Sequence, residues 1–383
     1  IVSTTRPMSC FTERSRSESR HRMTSRFSCA IAFRKSLALR MPRIRLFLRS
    51  MIVGRPAPDP DALDLGSASI LDRGKRFIQL DLKQPDSVAT VLDLIEHCDA
   101  LIEGMRPGVM ERLGLGPEPC LARNPALVFG RMTGWGQDGP LAQAAGHDIN
   151  YIALSGALWY AGQPGSPPVA PPSLVGDLGG GALYLAVGLL AAILSARATG
   201  RGQVVDAAIV DGSAHLMNLL LSLKAAGHFV SDRGRSILDG PHWYETYRCA
   251  DDRFVSVGSL EPRFYALLRE KLGLGDDPDF TDGYDPARWP DLTRRFEALF
   301  RQRTREEWSA LLEGSDACFA PVLDPDEAAS HPHIAARQIY RSINGVAQTV
   351  PAPRFSKTPP AISSSRSADA HQPGSIVTEW RGC

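Results

Sequence analysis

The chain has 383 residues, enough for two domains with cores of their own. Its net charge of +1 gives no general attraction to nucleic acid or to acidic partners. The seven cysteines, at positions 10, 29, 98, 120, 249, 318 and 383, are an odd, scattered set without the spacing of a zinc site. They read as free thiols of a reducing compartment, and so predict a cytoplasmic protein with no metal centre.

Residues 1–53 stand apart. Positions 1–50 hold eleven Arg and Lys35 against two acids, Glu13 and Glu18, with abundant Ser and no strand–turn–helix pattern. A mitochondrial targeting segment has that composition. So does a basic arm for nucleic acid or membrane.

From Arg73 the pattern alternates. Phe77–Leu82 reads as a strand, and Val88–His97 has apolar residues at helical spacing behind Pro85. Ala100–Glu103 is a second strand, and Ala126–Met132 a third. Between them Pro107–Leu113 and Pro117–Asn124 read as short helices. Such alternation predicts an α/β fold with a mostly parallel sheet, and loops after its strands are where such sheets bind ligands. Thr133–Gly139 reads as a mobile, pocket-lining loop. Gly114-Leu-Gly116 is no dinucleotide fingerprint, because it follows no strand and lacks a third Gly.

The stretch from Gly146 to Ala207 holds the chemistry. His147 and Asp177 fall at the starts of two expected helices. A base that removes a proton beside a carbonyl needs a tuned pKa, which His has near neutrality and which burial or a nearby negative charge gives an Asp. The glycines after Asp177 leave room for a bulky ligand and offer donors at a helix start for an enolate oxygen. On the residues alone, an Asp before a helix is most often an N-cap, and a His among apolar residues most often a core His. Leu178–Ala196 is apolar enough to imitate a membrane span; the Gly triplet and the acid before it favour a helix buried inside a large domain.

Gln203–Ala208 is a strand or helix entry, and Asp211–Ala226 one helix. Asp232–Pro241 reads as a linker. Beyond it, Trp243–Arg248 and Phe254–Gly258 read as strands, and a helix runs from Glu261-Pro262 to Leu272. Pro290–Arg301 and Thr304–Leu312 are amphipathic helices, and Ala317–Val322 is a short strand. His331 and His333 fit no metal motif and read as surface residues. Pro351–Pro360 returns toward the large domain. The tail after Ala361 is Ser-rich and expected to be poorly ordered up to Ile376–Trp380.

Gly146-His-Asp-Ile-Asn-Tyr151 and Val175-Gly-Asp-Leu-Gly-Gly-Gly181 resemble the paired signatures of alpha-methylacyl-CoA racemases, in the class III CoA-transferase superfamily. Leu101–Val109, Glu111–Pro117, Arg131–Gln137, Gly202–Ala207 and Val257–Pro262 match further, in order, so that the resemblance spans roughly Arg55 to Trp380. It implies that His147 and Asp177 are the two bases, that Glu261 assists, and that Asp148 orients or polarises His147. It implies a homodimer of interlocked type, with a Rossmann-like large domain (54–208), a helix and linker (209–242), a small α+β domain (243–335) and a C-terminal return (336–383). The active site would lie between the large domain of one subunit and the small domain of the other. The substrate would be a 2-methylacyl-CoA, with CoA as part of the substrate and no cofactor. For CoA, Arg73 and Arg106 are the first candidates, since Arg suits phosphate; Arg112, Gly146, Gly179 and Gly180 complete the binding set.

The resemblance also places a first strand, a Gly-rich turn and a first helix where residues 1–53 show none. A stretch read in the wrong frame, or from a wrongly assigned start, accounts for both that absence and the composition. Two other functions stay open. One is CoA transfer between carboxylic acids through an acyl-Asp177 anhydride. The other is an inactive or unstable product, because the missing strand opens the core.

Overall fold

The structure is a computed structural model that describes residues 33–34, 51–54 and 70–360. The readings made for the rest of residues 1–53 and for the tail from Ala361, including Ile376–Trp380, lie outside the described residues.

Three parallel strands form the centre: β4 (Cys98–Glu103), β5 (Val128–Thr133) and β6 (Val204–Ala208). Alternate side chains go to opposite faces. Leu101 and Phe129 join one buried cluster, with Val91, Leu94 and Ile95 of α1 (Pro85–Ile95) and Cys120 of α3 (Pro117–Arg123). Their neighbours Ala100 and Val128 join a second, on which Leu185, Leu189, Ala192 and Ala196 of α5 (Leu183–Thr199) are packed. Both faces are covered, as a parallel sheet requires.

The sheet is not continuous. The expected strand at Phe77–Leu82 is β3 (Arg76–Gln79), and it pairs in parallel with β2 (Met51–Gly54) in a separate two-stranded sheet. Thus the strand pattern resumes inside the segment set apart by composition. Among the described residues, β4 is paired on its edge away from β5 over two residues, with the antiparallel β1 (Phe33–Arg34). Met51, Val53 and Ile78 nevertheless pack into the cluster shared with β4 and β5, so burial bridges what the hydrogen bonds do not.

One expectation for the large domain is overturned. The helix through Leu178–Ala196 is not buried all round. It buries one residue per turn on the sheet, while Leu178, Leu183, Val187, Leu190 and Leu194 are each between 48 % and 68 % exposed. A helix that is apolar on every side has more apolar surface than one sheet face can cover. Two further differences are local. Asp211–Ala226 is two helices, α6 (Ile209–Leu216) and α7 (Asn218–Ala225), which meet at Met217. Gln203–Ala208 is a strand entry.

The second half builds an antiparallel sheet of β7 (Tyr244–Arg248), β8 (Phe254–Gly258) and β9 (Phe319–Val322). It shares an aromatic core with α8 (Pro262–Lys271), α9 (Trp289–Phe300) and α10 (Arg305–Leu312): Trp243, Tyr247, Phe280, Phe296, Phe300 and Trp308 are buried there. Thr304 caps α10 in a reciprocal box with Glu307, which fixes its start. Pro332 splits the next helical stretch into α11 (Pro325–Ser330) and α12 (Pro332–Ala336). His331 is not a plain surface residue: its Nε2 is 2.8 Å from Glu313 Oε1. The hairpin of β10 (Tyr340–Ile343) and β11 (Val346–Thr349) turns at Asn344-Gly345, both left-handed, and returns to the first half of the chain.

Candidate functional site

His147 is the N-cap of α4 (Asp148–Ser155) and is exposed. Its own N–H donates to Asn150 Oδ1 at 3.1 Å, and its carbonyl accepts the Asn150 N–H at 2.8 Å. Asp148, the first residue of α4, is buried. Its Oδ1 accepts two backbone N–H groups, of Gly176 and Asp177, each at 2.8 Å. The resemblance assigns Asp148 to His147; in the structure these partners of Asp148 belong to the element that bears Asp177. Gly176 has no alternative here, because a Cβ would stand 2.5 Å from Asp148 Oδ1.

Asp177 lies in the first turn of a π-helical segment, Leu174–Ala182, which runs directly into α5. Such wide turns recur where a helix must place a functional side chain. Its pKa is raised, first by burial and then by the negative charge of Asp148. A hydrogen bond from the Ser173 hydroxyl and the charge of His147 act the other way. His147, Asp148 and Asp177 therefore form one electrostatic group.

Gly179 and Gly180 do not offer donors at a helix start, because the helix begins earlier, at Leu174. Gly180 is buried where α6 crosses: a Cβ would be 2.5 Å from Ser213 Oγ, and a Cβ on Gly212 would be 1.8 Å from the Gly180 carbonyl. Gly179 approaches Leu216 of α6. These glycines let two helices touch, which carries Asp177 against the body of the domain. Helix-start donors lie instead on α4, where the N–H groups of Asp148 and Ile149 precede any intrahelical acceptor.

The predicted phosphate contacts diverge. Arg106 is exposed beyond the end of β4, and its charge acts on Tyr151. Arg112 is exposed at the end of α2 (Val109–Arg112), its Nη1 3.2 Å from where a Cβ on Gly108 would stand. Arg73 is engaged in the fold: its Nη1 donates to Gln348 Oε1 at 3.1 Å and to the Thr349 carbonyl at 2.8 Å, tying down β11. Gly146 packs under Tyr151 and Trp135, where a Cβ would be 2.8 Å and 2.9 Å from their rings. Glu261 is not brought to His147 or Asp177 within this chain. It is the exposed N-cap of α8, beside Tyr284 and Cys318, whose pKa values its charge helps to raise.

Three functional groups escaped the sequence reading. Ser173 holds a left-handed conformation just before the π segment and touches Asp177. Tyr151 sits inside the quoted signature, four residues after His147, a spacing that places it over His147 on one helix face. The third is a row across three strands, the buried Glu103 and Arg131 and the exposed Asp206, in register on β4, β5 and β6. Arg131 pairs there with Glu103 and Glu111 and donates to Gln137 Oε1 at 2.7 Å. Burial pushes Glu103 up to about 6. Two carboxylates and an Arg too far apart in sequence to form a motif leave no local signal. No cluster of His, Cys, Asp and Glu suited to a metal occurs among the described residues.

The model of CoA-transferase family III matches residues 59–373. Mouse and human alpha-methylacyl-CoA racemases are each 40 % identical to the chain, over 306 and 315 residues; these cover 79 % and 81 % of this chain and 80 % of each relative. Acetyl-CoA:oxalate CoA-transferase of Acetobacter aceti is 32 % identical over 286 residues, covering 73 % of this chain and 72 % of that one. Among solved structures, a CAIB/BAIF family protein from Brucella suis has the same fold, with a TM-score of 0.73 at 23 % identity over 88 % of this chain and 92 % of that one. By both the extent of the family match and the identity to full-length relatives, the chain belongs to CoA-transferase family III.

Proposed function

We propose that this chain is an alpha-methylacyl-CoA racemase that interconverts the (2R) and (2S) epimers of 2-methylacyl-CoA thioesters. The supporting observation is the pairing of His147 with an Asp177 whose pKa is raised and whose backbone is held by the residue next to that histidine. A histidine, and a carboxyl whose pKa is raised by burial and by Asp148, are bases of the kind that a two-base proton transfer needs. The thioester carbonyl acidifies C2–H. One base takes the proton, and the bonding pair passes into a planar enolate. The conjugate acid of the other base then delivers a proton to the opposite face. His147 serves as base for one epimer and Asp177 for the other. The Asp148 and Ile149 N–H groups at the start of α4 would receive the enolate oxygen. The reaction draws on no cofactor; CoA enters with the substrate, its phosphates met by Arg106 and Arg112 at the rim.

A homodimer completes this reading. The exposed apolar side of α5 needs cover, and Glu261 needs to reach the two bases; a second copy that laid its small domain over this face would do both, placing Glu261 of the partner subunit at the site. The thiols of Cys120, Cys249 and Cys318 support a cytoplasmic setting.

Single-base variants test the mechanism. In heavy water, His147→Ala and Asp177→Ala should each lose inversion, while each still exchanges the C2 proton of one epimer, and not the same one. Loss of inversion and exchange together in both would reject two independent bases. CoA transfer predicts instead that hydroxylamine traps an acyl group on Asp177. The identity of 40 % to the two racemases against 32 % to the oxalate transferase favours the racemase.

A further inference from the structure

His147 is exposed, so the main chain, rather than packing around the ring, sets its place. That main chain is held by two side chains that the proton transfer does not use, Tyr151 and Asn150. The hydroxyl of the buried Tyr151 donates to the Gly146 carbonyl, and its backbone N–H donates to the His147 carbonyl at 3.2 Å. With Asn150 Oδ1 on the His147 N–H, the peptide that leads into His147 is fixed at both its oxygen and its nitrogen.

The phenol itself is fixed. Its ring packs against Gly134, where a Cβ would stand 2.0 Å from it, and meets Trp135 edge-on with centroids 4.7 Å apart. The loop that supplies Gly134 and Trp135 is anchored at Gln137, whose side chain accepts from Arg131 at 2.7 Å and whose backbone bonds Asp206. The charges of Asp177 and Arg106 both reach the hydroxyl. A phenylalanine would fill the same space but leave the Gly146 carbonyl without its donor.

We propose that Tyr151 is a positioning residue for His147 and sets the geometry of proton transfer on the histidine side of the substrate. The proposal rests on the racemase reading. An ångström of misplacement at a reacting group costs up to about a hundredfold in rate, whereas Tyr151→Phe removes neither Arg106 nor Arg112, the proposed CoA contacts.

The test is Tyr151→Phe, assayed beside a parent protein that has first been shown to invert both epimers; a parent without inversion refutes the racemase reading and not this one. In the variant, kcat should fall at least about tenfold in both directions with KM within about twofold. In heavy water, for the epimer that Asp177 deprotonates, the ratio of C2 exchange to inversion should rise, because the enolate still forms and waits for a misplaced histidine. An unchanged kcat, or exchange and inversion falling by one factor, overturns the proposal. Should the variant not fold, Trp135→Phe keeps the hydroxyl and loosens the ring. It should raise the same ratio to a smaller degree, and an unchanged ratio in it overturns the proposal equally.

Discussion

Asp148 carries the backbone of Asp177: one carboxylate oxygen accepts the N–H of Asp177 and of Gly176, each at 2.8 Å. The start of α4 and the π segment are therefore joined at the residue beside each proposed base. The same contact sets a negative charge near Asp177 and helps to raise its pKa, after burial. Geometry and acidity of the second base thus have one source.

Asp148→Asn separates the two effects. The amide oxygen still accepts hydrogen bonds, but the charge is gone, so the pKa of Asp177 falls. For the epimer that Asp177 deprotonates, the acidic limb of kcat/KM should move to lower pH; a limb that stays in place contradicts the assignment. Asp148→Ala also orphans two N–H groups, and should lower stability by about 1–3 kcal/mol, read as a drop in Tm.

Ser173→Ala should do the reverse. Its hydroxyl stabilises the ionised Asp177, and removal lets the pKa rise further. The acidic limb for the same epimer should move to higher pH. Opposite shifts in the two variants, measured as pH–rate profiles, would tie both residues to one titrating group.

The contact between the π segment and α6 is tight enough to test by adding one methyl group. In Gly180→Ala the new carbon meets Ser213 Oγ at 2.5 Å and Ser213 N at 2.6 Å. Overpacking of this kind costs about 1–3 kcal/mol. A thermal melt should show a lowered Tm, accompanied by loss of activity as Asp177 moves outward. An unchanged melt would mean that the helices are further apart than described.

Acid stability has a specific origin in the second half of the chain. Burial lowers the pKa of His242 to about 3. Its ring lies among Tyr265, Phe280 and Phe296, with Nε2 2.7 Å from the Tyr265 hydroxyl. A histidine kept neutral when folded binds fewer protons than when unfolded, so its contribution is full above its ordinary pKa of 6.5 and is lost as pH falls toward 3. Glu103, pushed up to about 6 by burial, gains in its neutral form as pH falls below that value, and opposes the trend. Because only His242 lies in the aromatic core, His242→Phe should flatten the fall of Tm between pH 6.5 and 4.5.

Much of this architecture was legible as pattern. The alternation of strands and helices from Arg73 onward gave β3 to β5 their places, and Glu261-Pro262 marked the start of α8 because proline suits a first turn. His147 and Asp177 stood out through the ordered signatures around them. What sequence hid was pairwise geometry. Asp148 lies beside His147 in the chain, so it reads as that residue's partner; only the fold brings Gly176 and Asp177 to its carboxylate. Gly179 and Gly180 read as a ligand cradle, while their purpose depends on α6 crossing above them. Arg73 reads as a phosphate contact until β11, some 275 residues later, takes up its guanidinium. The one-sided burial of α5 was equally invisible, since a helix apolar on all sides shows no period to distinguish covered from uncovered faces.

The most direct measurement is proton NMR of a single epimer of a 2-methylacyl-CoA incubated with the intact chain in heavy water. A two-base racemase removes the C2 proton signal while the opposite epimer accumulates with deuterium at C2. Persistence of that proton in the presence of folded protein, with CoA passing instead to an added carboxylic acid, would contradict the account.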